Sequence, residues 1–459
     1  MTISPTVRTG RTSSDRRLPG EWLRCGWLLL AAWTVVSPPS ASAATKHLLA
    51  AAMDSITSDE LYQHVEVLAD DVYEGRSAGS RGGHAAAQYI VQELRHYDLT
   101  PAGTNGDYLQ KFNGDWRNIL LLLPGDDPQL EQELIVVGAH YDHVGRGNGN
   151  NSYGPTGKIH NGADDNASGV SVMLETIEAI AASGLRARRS ILFAFWDGEE
   201  RGLQGSRHWI ANPTLPLVRV KLAITIDMVG RLREGRLYVL GTRSGYGMRR
   251  LMSGPVPDPL WLDFGWELSA NSDHWPFLER RVPVALLHTG LHRDYHRPSD
   301  DAEKINRAGM REVSRYLMGV LMKVADEERL PEFRERVRRE TDGMQRELER
   351  PLPRMSLRNW PSHRDKPRLG VSWREDKAEP GSVILTQVVE ETPAAAAKLA
   401  VHDRIYEVNG EPFVDAAAFQ SMISTPLDEG LPELELLLER RGQVRTVVVK
   451  MPSSQQAAE

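Results

Sequence analysis

The sequence predicts an α/β protein whose main domain is an open, mainly parallel β-sheet with helices on both faces. Continuous apolar runs have the length of strands buried on both sides: NILLLL (118–123), LIVVGA (134–139), SILFAFW (190–196), LAITI (222–226) and VPVALLH (282–288). Helical periodicity lies between several of them, most clearly over 168–182, where Met173, Ile177 and Ile180 share one face. This alternation is typical of a parallel sheet covered by helices.

Further helices frame the sheet in the sequence. Residues 58–69 begin at Ser58, which we expect to cap a helix, and a second helix is expected around Ile90, Val91 and Leu94. A helix from about 303 to 325 is expected to close this domain, which we place at 44–325. The formal charge of −7 gives no reason to expect binding to nucleic acid or to anionic membranes.

The first 43 residues have the pattern of a signal peptide. Arginines precede the apolar run GWLLLAAWTVV, and Ala41-Ser42-Ala43 offers a small-residue cleavage site. The run is shorter than the roughly 20 residues of a membrane-spanning helix. We therefore expect an exported protein, periplasmic or secreted, with no stable membrane span after cleavage; a retained anchor is the alternative. Cleavage would remove Cys25, the only cysteine.

The C-terminal third has a different composition. The charged stretch EERLPEFRERVRRETDGMQRELERP favours a solvated helix, and prolines follow it, so 326–365 is predicted to be a charged helical linker. After it, 366–452 contains short strands and two short helices, as expected for a small separate domain.

Potential metal ligands follow the apolar runs of the first domain. His140 comes directly after LIVVGA, Glu199 and Glu200 follow SILFAFW, Asp227 follows LAITI, and His296 lies in the loop beyond VPVALLH. Functional groups of such sheets gather beyond the carboxyl ends of the strands. Imidazoles and carboxylates are ligands of catalytic zinc, so these segments together indicate a two-metal hydrolase.

Within these segments, Asp142 is placed to orient the His140 ring. In NGADDNASG one of the two aspartates is expected to bridge two metals, with helix capping as the alternative. One glutamate of DGEE would bind metal while the other serves as general base. Asp227 requires a cation or Arg231 as partner, and Asp300 is a possible partner of His296. We expect hydrogen-bonding or substrate-contact roles for the other nearby histidines, His143, His160, His274, His288 and His292.

Residues 58–325 resemble the co-catalytic zinc aminopeptidases, a family that includes bacterial leucyl aminopeptidases and glutamate carboxypeptidases. The similarity rests on the five segments above and on EGRSAGS and SDHWPF. It implies two Zn²⁺ ions per chain bridged by Asp164, one also held by His140 and Asp227 and the other by Glu200 and His296. It further implies Glu199 as general base, Asp142 behind the first histidine, and a cis peptide at Asp164–Asp165.

The module at 366–452 looks like a PDZ domain. RLGV (368–371) lies where the peptide-carboxylate loop would be, although Lys398 and His402 replace the glycines usual near the helix end. The resemblance implies that the C-terminal strand of a peptide adds to its sheet edge, and the alternative is that the module is a packing appendage.

The sequence therefore predicts an exported metallo-aminopeptidase that acts on peptide substrates. One alternative is a single-zinc glutaminyl cyclase. Another is a non-catalytic receptor or scaffold that binds through the PDZ module.

Overall fold

The computed structural model describes residues 41–254, 256–357, 369–428 and 432–451. The expected signal segment lies outside the described residues except for its last three positions, and Cys25 lies outside them. Those three positions belong to the first described helix, which spans Ala41–Ser55.

A nine-stranded mixed sheet within the described residues forms the centre of the first domain. Its strands are β1 (Thr100–Pro101), β2 (Leu109–Phe112), β3 (Trp116–Leu123), β4 (Leu134–His140), β5 (Ser190–Trp196), β6 (Val220–Ile226), β7 (Arg236–Leu240), β8 (Trp261–Asp263) and β9 (Val284–His288). The spatial order is β1-β3-β5-β4-β6-β9-β7-β8, with β2 paired to β3. All five apolar runs form strands, and β4 and β5 are buried along their whole length.

The central strands β5-β4-β6-β9 run parallel to one another, and the pair β7-β8 at one edge is also parallel. β3 runs antiparallel to β5, and β7 runs antiparallel to β9. The predicted α/β class is confirmed, but the sheet is more mixed than predicted. An apolar run has the same pattern whether its strand pairs parallel or antiparallel. The sequence therefore could not show that β3 and β7 run antiparallel to their neighbours β5 and β9.

Helices cover both faces of the sheet: α1 (Ala41–Ser55), α2 (Ser58–Leu68), α3 (Arg81–Leu94), α4 (Gly169–Ser183), α5 (Gln204–Ala211), α6 (Met248–Met252), α7 (His274–Glu279) and α8 (Arg307–Asp326). One face packs its apolar side chains against α1–α4 and α8, and the other packs against α5 and α7. Thr57, not Ser58, caps α2, since the Glu60 amide donates to its hydroxyl over 3.2 Å. Among the described helices, none has the length and apolar character needed to span a bilayer.

The segment after α8 is not the solvated helix that its charges predict. It forms a short 3₁₀ turn at Glu335–Arg339 and the helix α9 (Asp342–Leu348). Arg334 and Glu340 are only 3% and 7% exposed, because their side chains pair with each other and pack against the first domain.

The C-terminal domain is an antiparallel sheet with two helices and its own apolar core. Its elements are β10 (Val371–Glu375), β11 (Val383–Val388), α10 (Pro393–Ala396), β12 (Arg404–Val408), β13 (Glu411–Pro412), α11 (Ala416–Asp428), β14 (Glu433–Arg440) and β15 (Gln443–Lys450). Among the described strands, β10 and β15 lie at the two edges of this sheet, and β10 pairs with β11. Lys398 and His402 adopt positive φ angles of 58° and 76°, the backbone region that favours glycine.

Candidate metal centre

The carboxyl ends of the parallel strands bring potential metal ligands together. Among the described residues, two groups of side chains have ligand atoms that all lie within 4.8 Å of one another. The first group is His140, Asp165 and Asp227, and the second is His143, Asp165, Glu200 and His296. Of the predicted ligands, four belong to these groups: His140, Glu200, Asp227 and His296.

Asp165 is the residue that the two groups share. Its Oδ1 lies 3.4 Å from Nε2 of His140, which is also 3.4 Å from Oδ1 of Asp227. Its Oδ2 lies 3.2 Å from Nε2 of His296 and 3.7 Å from Nδ1 of His143. One oxygen of this carboxylate therefore faces each group, as expected of a bridging ligand.

Asp164, the bridging residue that the family resemblance implied, points elsewhere. Its Oδ1 accepts hydrogen bonds from the Gly230 amide (2.6 Å) and the Ser168 hydroxyl (3.1 Å). Its Oδ2 lies 3.1 Å from Nε2 of His292. The assignment to Asp164 is thus corrected by one residue, because the turn at Ala163–Ser168, with non-helical dihedral angles at Asp165 and Asn166, directs the two neighbouring carboxylates to different surroundings. The cis peptide is likewise one residue later, at Asp165–Asn166.

His143 is a member of the second group that the sequence analysis placed among non-ligand histidines. Its Nδ1 lies 2.8 Å from Oε1 of Glu200, and its side chain is buried. Gly162 has a φ of +59°, and a Cβ there would lie 2.5 Å from Cδ2 of His143. The signal that could have revealed His143 is its position in the same strand-end loop as His140, three residues later.

Glu199, the predicted general base, lies beside the first group and is held by Asp142, the predicted partner of His140. The Glu199 amide donates to Oδ1 of Asp142 over 3.0 Å. Nδ1 of His140 is 3.1 Å from the Asp142 carbonyl oxygen and 3.8 Å from its carboxylate, so the carbonyl is the nearer acceptor. Burial raises the pKa of the Glu199 carboxyl well above its usual value, and nearby carboxylates add to this effect.

Arg231 and Asp300 do not pair with the residues predicted for them, Asp227 and His296. Arg231 pairs with Asp294 at 3.1 Å, while the close partner of Asp227 is His140. Asp300 does not pair with His296. Its Oδ2 accepts from the amides of Asp164 (3.0 Å) and Asp165 (3.1 Å), and so it fixes the backbone of the bridging segment.

Arg76, from the EGRSAGS motif, connects the loops beneath the metal groups. Its guanidinium is fully buried and donates to the carbonyl oxygens of Leu68 (2.6 Å), Tyr141 (2.9 Å), Asn161 (2.6 Å) and Gly162 (2.8 Å). Burial lowers the pKa of Arg76 to about 10, so it stays charged at neutral pH. The motif was part of the resemblance, but the positioning role of Arg76 was not anticipated.

The SDHWPF loop contributes buried polar groups near the first group. Asp273 is bonded through Oδ1 to the Ser206 hydroxyl at 2.5 Å, and burial raises its pKa to about 6. Among the described residues, four buried atoms of this loop have no hydrogen-bond partner: the Ser272 hydroxyl oxygen, Oδ2 of Asp273 and both ring nitrogens of His274. Buried polar groups of this kind normally have partners, which makes this loop a candidate substrate contact.

The remaining histidines lie outside both groups. His160 lies 2.7 Å from the Ser152 hydroxyl, and Nδ1 of His288 accepts the Gly290 amide. His292 lies against Asp164.

The chemistry of the two groups fits divalent cations. Within the described part of the chain, Oδ2 of Asp142 and Nε2 of His143 are buried and have no hydrogen-bond partner, while Oδ2 of Asp165 faces the imidazoles of His296 and His143. Several carboxylates share this buried space, where unpaired negative charge is costly. Cations between these imidazoles and carboxylates would compensate that charge. The fold and this centre thus define an α/β protein with a candidate two-metal site.

Comparison with known proteins identifies both domains. Residues 118–321 match the model of Peptidase family M28, and residues 367–451 match that of the PDZ domain. The chain therefore carries a peptidase family M28 domain followed by a PDZ domain, and the resemblance seen in the sequence is confirmed.

Individual relatives agree with this assignment. The chain is 27% identical over 235 residues to Leupeptin-inactivating enzyme 1 of Streptomyces exfoliatus, covering 50% of this chain and 47% of the relative. It is 28% identical over 213 residues to Aminopeptidase YwaD of Bacillus subtilis, with 43% of each chain covered. It thus spans about half the length of these curated relatives. The LapA aminopeptidase of Legionella pneumophila shares the fold, with a TM-score of 0.51 and 21% identity over 61% of this chain and 75% of that chain.

Proposed function

We propose that the protein is an exported aminopeptidase that removes N-terminal residues from peptides with two metal ions. The observation that carries this proposal is the Asp165 carboxylate, which offers one oxygen to each of two ligand groups. The M28 match and the aminopeptidases among the relatives support peptide substrates. We assign Zn²⁺ because imidazole nitrogens and carboxylate oxygens are its usual ligands in catalytic sites.

His140 and Asp227 would hold one ion, and Glu200 and His296 the other, with Asp165 between them and His143 as a further candidate ligand of the second ion. When bound, the ions would polarise the scissile carbonyl and lower the pKa of the attacking water. Glu199 would accept the proton of that water and donate it to the leaving amine. Asp142 would keep Glu199 next to His140 through the hydrogen bond to the Glu199 amide.

The test of this assignment is Glu199→Gln. This change keeps the shape of the side chain and removes its basicity, so metal content should stay at the wild-type value while hydrolysis of aminoacyl-4-nitroanilides falls about 100- to 10,000-fold. Glu66→Gln, on an exposed position of α2, is the matched control. Wild-type turnover by the Glu199→Gln protein would refute the role of Glu199.

Metal analysis separates the alternatives. Two ions per chain, with activity lost to a chelator and restored by Zn²⁺, are expected of the aminopeptidase. One ion with cyclisation of N-terminal glutamine would indicate the glutaminyl cyclase instead. A protein that binds metal but shows neither reaction over a broad substrate panel would favour the receptor alternative.

We also propose that residues 1–43 direct export to the periplasm or the medium and are then removed. N-terminal sequencing of the protein recovered from those fractions should begin at Ala44. Full-length protein retained in the cytoplasm would contradict export.

For the PDZ domain, we propose that it takes the C-terminal strand of a peptide at the free edge of β10. Gly370 precedes this strand at a φ of +89°, and a Cβ there would lie 2.2 Å from the Thr392 hydroxyl oxygen. Gly370→Val should therefore weaken binding of carboxylate-terminated peptides selected from a library. Unchanged binding would place the peptide elsewhere.

A further inference from the structure

The PDZ domain contacts the catalytic domain through backbone hydrogen bonds. Two amides of the catalytic domain donate to the turn between β14 and β15. The Gly254 amide donates to the Gly442 carbonyl (3.0 Å), and the Leu262 amide donates to the Arg441 carbonyl (2.9 Å). Gly442 has a φ of +87°, and a Cβ there would lie 2.4 Å from Cγ of Leu262. A tethered module that moves freely would not need so close an approach of two backbones.

A second contact satisfies the amides at the start of α6. The Gly247 amide donates to the Ala378 carbonyl over 2.8 Å. The amides of Arg249 and Arg250 donate to the two carboxylate oxygens of Glu379, over 2.8 and 3.2 Å. The first amides of a helix have no partner within the helix. Here the PDZ domain supplies those partners, so this turn of the catalytic domain is completed by the other domain.

A third contact is a network of buried charges. Arg243 donates two hydrogen bonds to Asp376 of the PDZ domain, over 2.8 and 2.9 Å, and two to Glu340 over the same distances. Asp376 also accepts from Arg404 at 3.0 Å. Arg243 is 6% exposed, Asp376 3% and Arg404 0%. The pair of Arg243 and Asp376 crosses the boundary, and removal of Asp376 would take a buried partner from both Arg243 and Arg404.

The topology separates these contacts from the metal groups, because the buried charges lie near the amino end of β9 and the Leu262 contact lies on the edge strand β8, two strands beyond β9. The Ser244 hydroxyl, next to Arg243, bonds both the amide (2.7 Å) and the carbonyl (3.1 Å) of Val284, the first residue of β9. The Asp227 amide donates to Leu287, near the last residue of β9. The buried charge network of the PDZ contact and the metal groups therefore lie toward opposite ends of this strand.

We infer that the PDZ domain is held rigidly against the catalytic domain, at the edge away from the metal groups. The two domains then fold as one unit, and the PDZ domain does not move toward the metal groups during turnover. The three contacts described above hold it in this position. β10, which precedes Asp376, would then present any peptide at a fixed place on the far side of the catalytic domain.

Thermal unfolding of the full-length protein tests whether the two domains unfold as one unit. Calorimetry should show one transition for wild type, and Asp376→Ala should lower the first transition by roughly 5 °C or split off a separate PDZ transition. Arg207→Met is the matched control, because it removes an exposed ion pair with Glu279 at 2.8 Å. Two independent wild-type transitions would overturn the inference, as would an Asp376→Ala midpoint equal to that of the control.

Hydrogen exchange provides a readout that does not require a stable variant. The peptide segments containing the Gly247–Arg250 and Leu262 amides should be protected in wild type like the central strands of the sheet. Exchange as fast as that of exposed loops would show that the domains separate freely. Neither measurement depends on the proposed peptidase activity, so failure of the two proposals can be told apart.

A reversible cross-link tests the functional consequence. Gly254 and Gln443 are paired neighbours across the boundary, and a Cβ on Gly254 would meet no other atom within 4 Å. With Cys25→Ser as background, Gly254→Cys with Gln443→Cys should form a disulfide on oxidation. Equal kcat/KM before and after oxidation, on nitroanilides and on ten-residue peptides, would support a fixed domain. Activity lost on oxidation and restored by reduction would overturn it.

Discussion

Replacement of Arg76 should lower both the stability of the protein and its affinity for metal, because Arg76 joins the loops that carry the metal ligands. In Arg76→Met, the carbonyl oxygens of four residues lose their donors: Leu68, Tyr141, Asn161 and Gly162. An unsatisfied buried acceptor costs about 1–3 kcal/mol, so the four together should cost at least about 4 kcal/mol. This is a large fraction of the roughly 5–15 kcal/mol that stabilises a typical domain.

Arg76→Lys should be less harmful. An ammonium group keeps the positive charge but has only three donors, so it cannot reproduce the planar fork that contacts four carbonyls. We expect a loss of about half the Met value, because part of the hydrogen bonding survives. The exposed Arg95→Met serves as control for loss of one arginine.

The assay is urea unfolding of the metal-free protein, followed by metal affinity from competition with a chromogenic chelator. Arg76→Met should have the lowest unfolding midpoint and should bind metal about 10- to 100-fold more weakly, as expected when a group that positions ligands is lost. If its unfolding free energy and metal affinity matched those of the control, the proposed role of Arg76 in joining these loops would be refuted.

The other predictions concern the ligands and the acid stability. Asp165→Asn should lose binding of both metal ions, whereas Asp164→Asn should keep two ions with about 10- to 100-fold weaker affinity, as counted by atomic emission on dialysed protein. His143→Gln should weaken one of two binding steps in calorimetric titration; two unchanged steps would exclude it as a ligand. Burial alone would raise the pKa of Glu340, but two arginine partners lower it to about 2 from a model-peptide value of 4.5. The unfolded chain therefore takes up this proton first as the pH falls, and stability should decrease by about 1–3 kcal/mol between pH 4.5 and 2, measured by urea unfolding. Glu340→Gln should remove this part of the pH dependence, and an unchanged slope would contradict the ion-pair explanation.

The sequence was sufficient for the five apolar strands, though not for β1, β2, β7 and β8, and for most of the site, because both depend on local patterns. A fully buried strand must be apolar throughout, and a polar residue directly after it lies at the sheet edge. This reasoning led to His140, Glu200 and Asp227, which the structure brings together. His296 was predicted from its place in the loop beyond the last apolar run, and the family resemblance agreed with it.

Other features depend on geometry that a linear pattern does not contain. Asp164 and Asp165 are neighbours of the same type, and only the backbone dihedrals of the turn decide which carboxylate faces the imidazoles. The charged stretch after α8 reads as solvated because its buried partner, Arg243, is distant in sequence. The contact between the PDZ domain and the catalytic domain could not be predicted from the sequence either, because paired residues such as Arg243 and Asp376 are more than 100 residues apart.

Asp300 joins two loops in a way that affects how this site could be altered. Its carboxylate receives the amides of Asp164 and Asp165, and its own carbonyl receives the Ala163 amide over 3.0 Å. Asp300 lies four residues after His296 in the same loop. An insertion or a graft that shifts either loop would therefore displace ligands contributed by the other. Efforts to change substrate preference should exchange the two loops as a pair, or leave both intact and vary the SDHWPF loop instead.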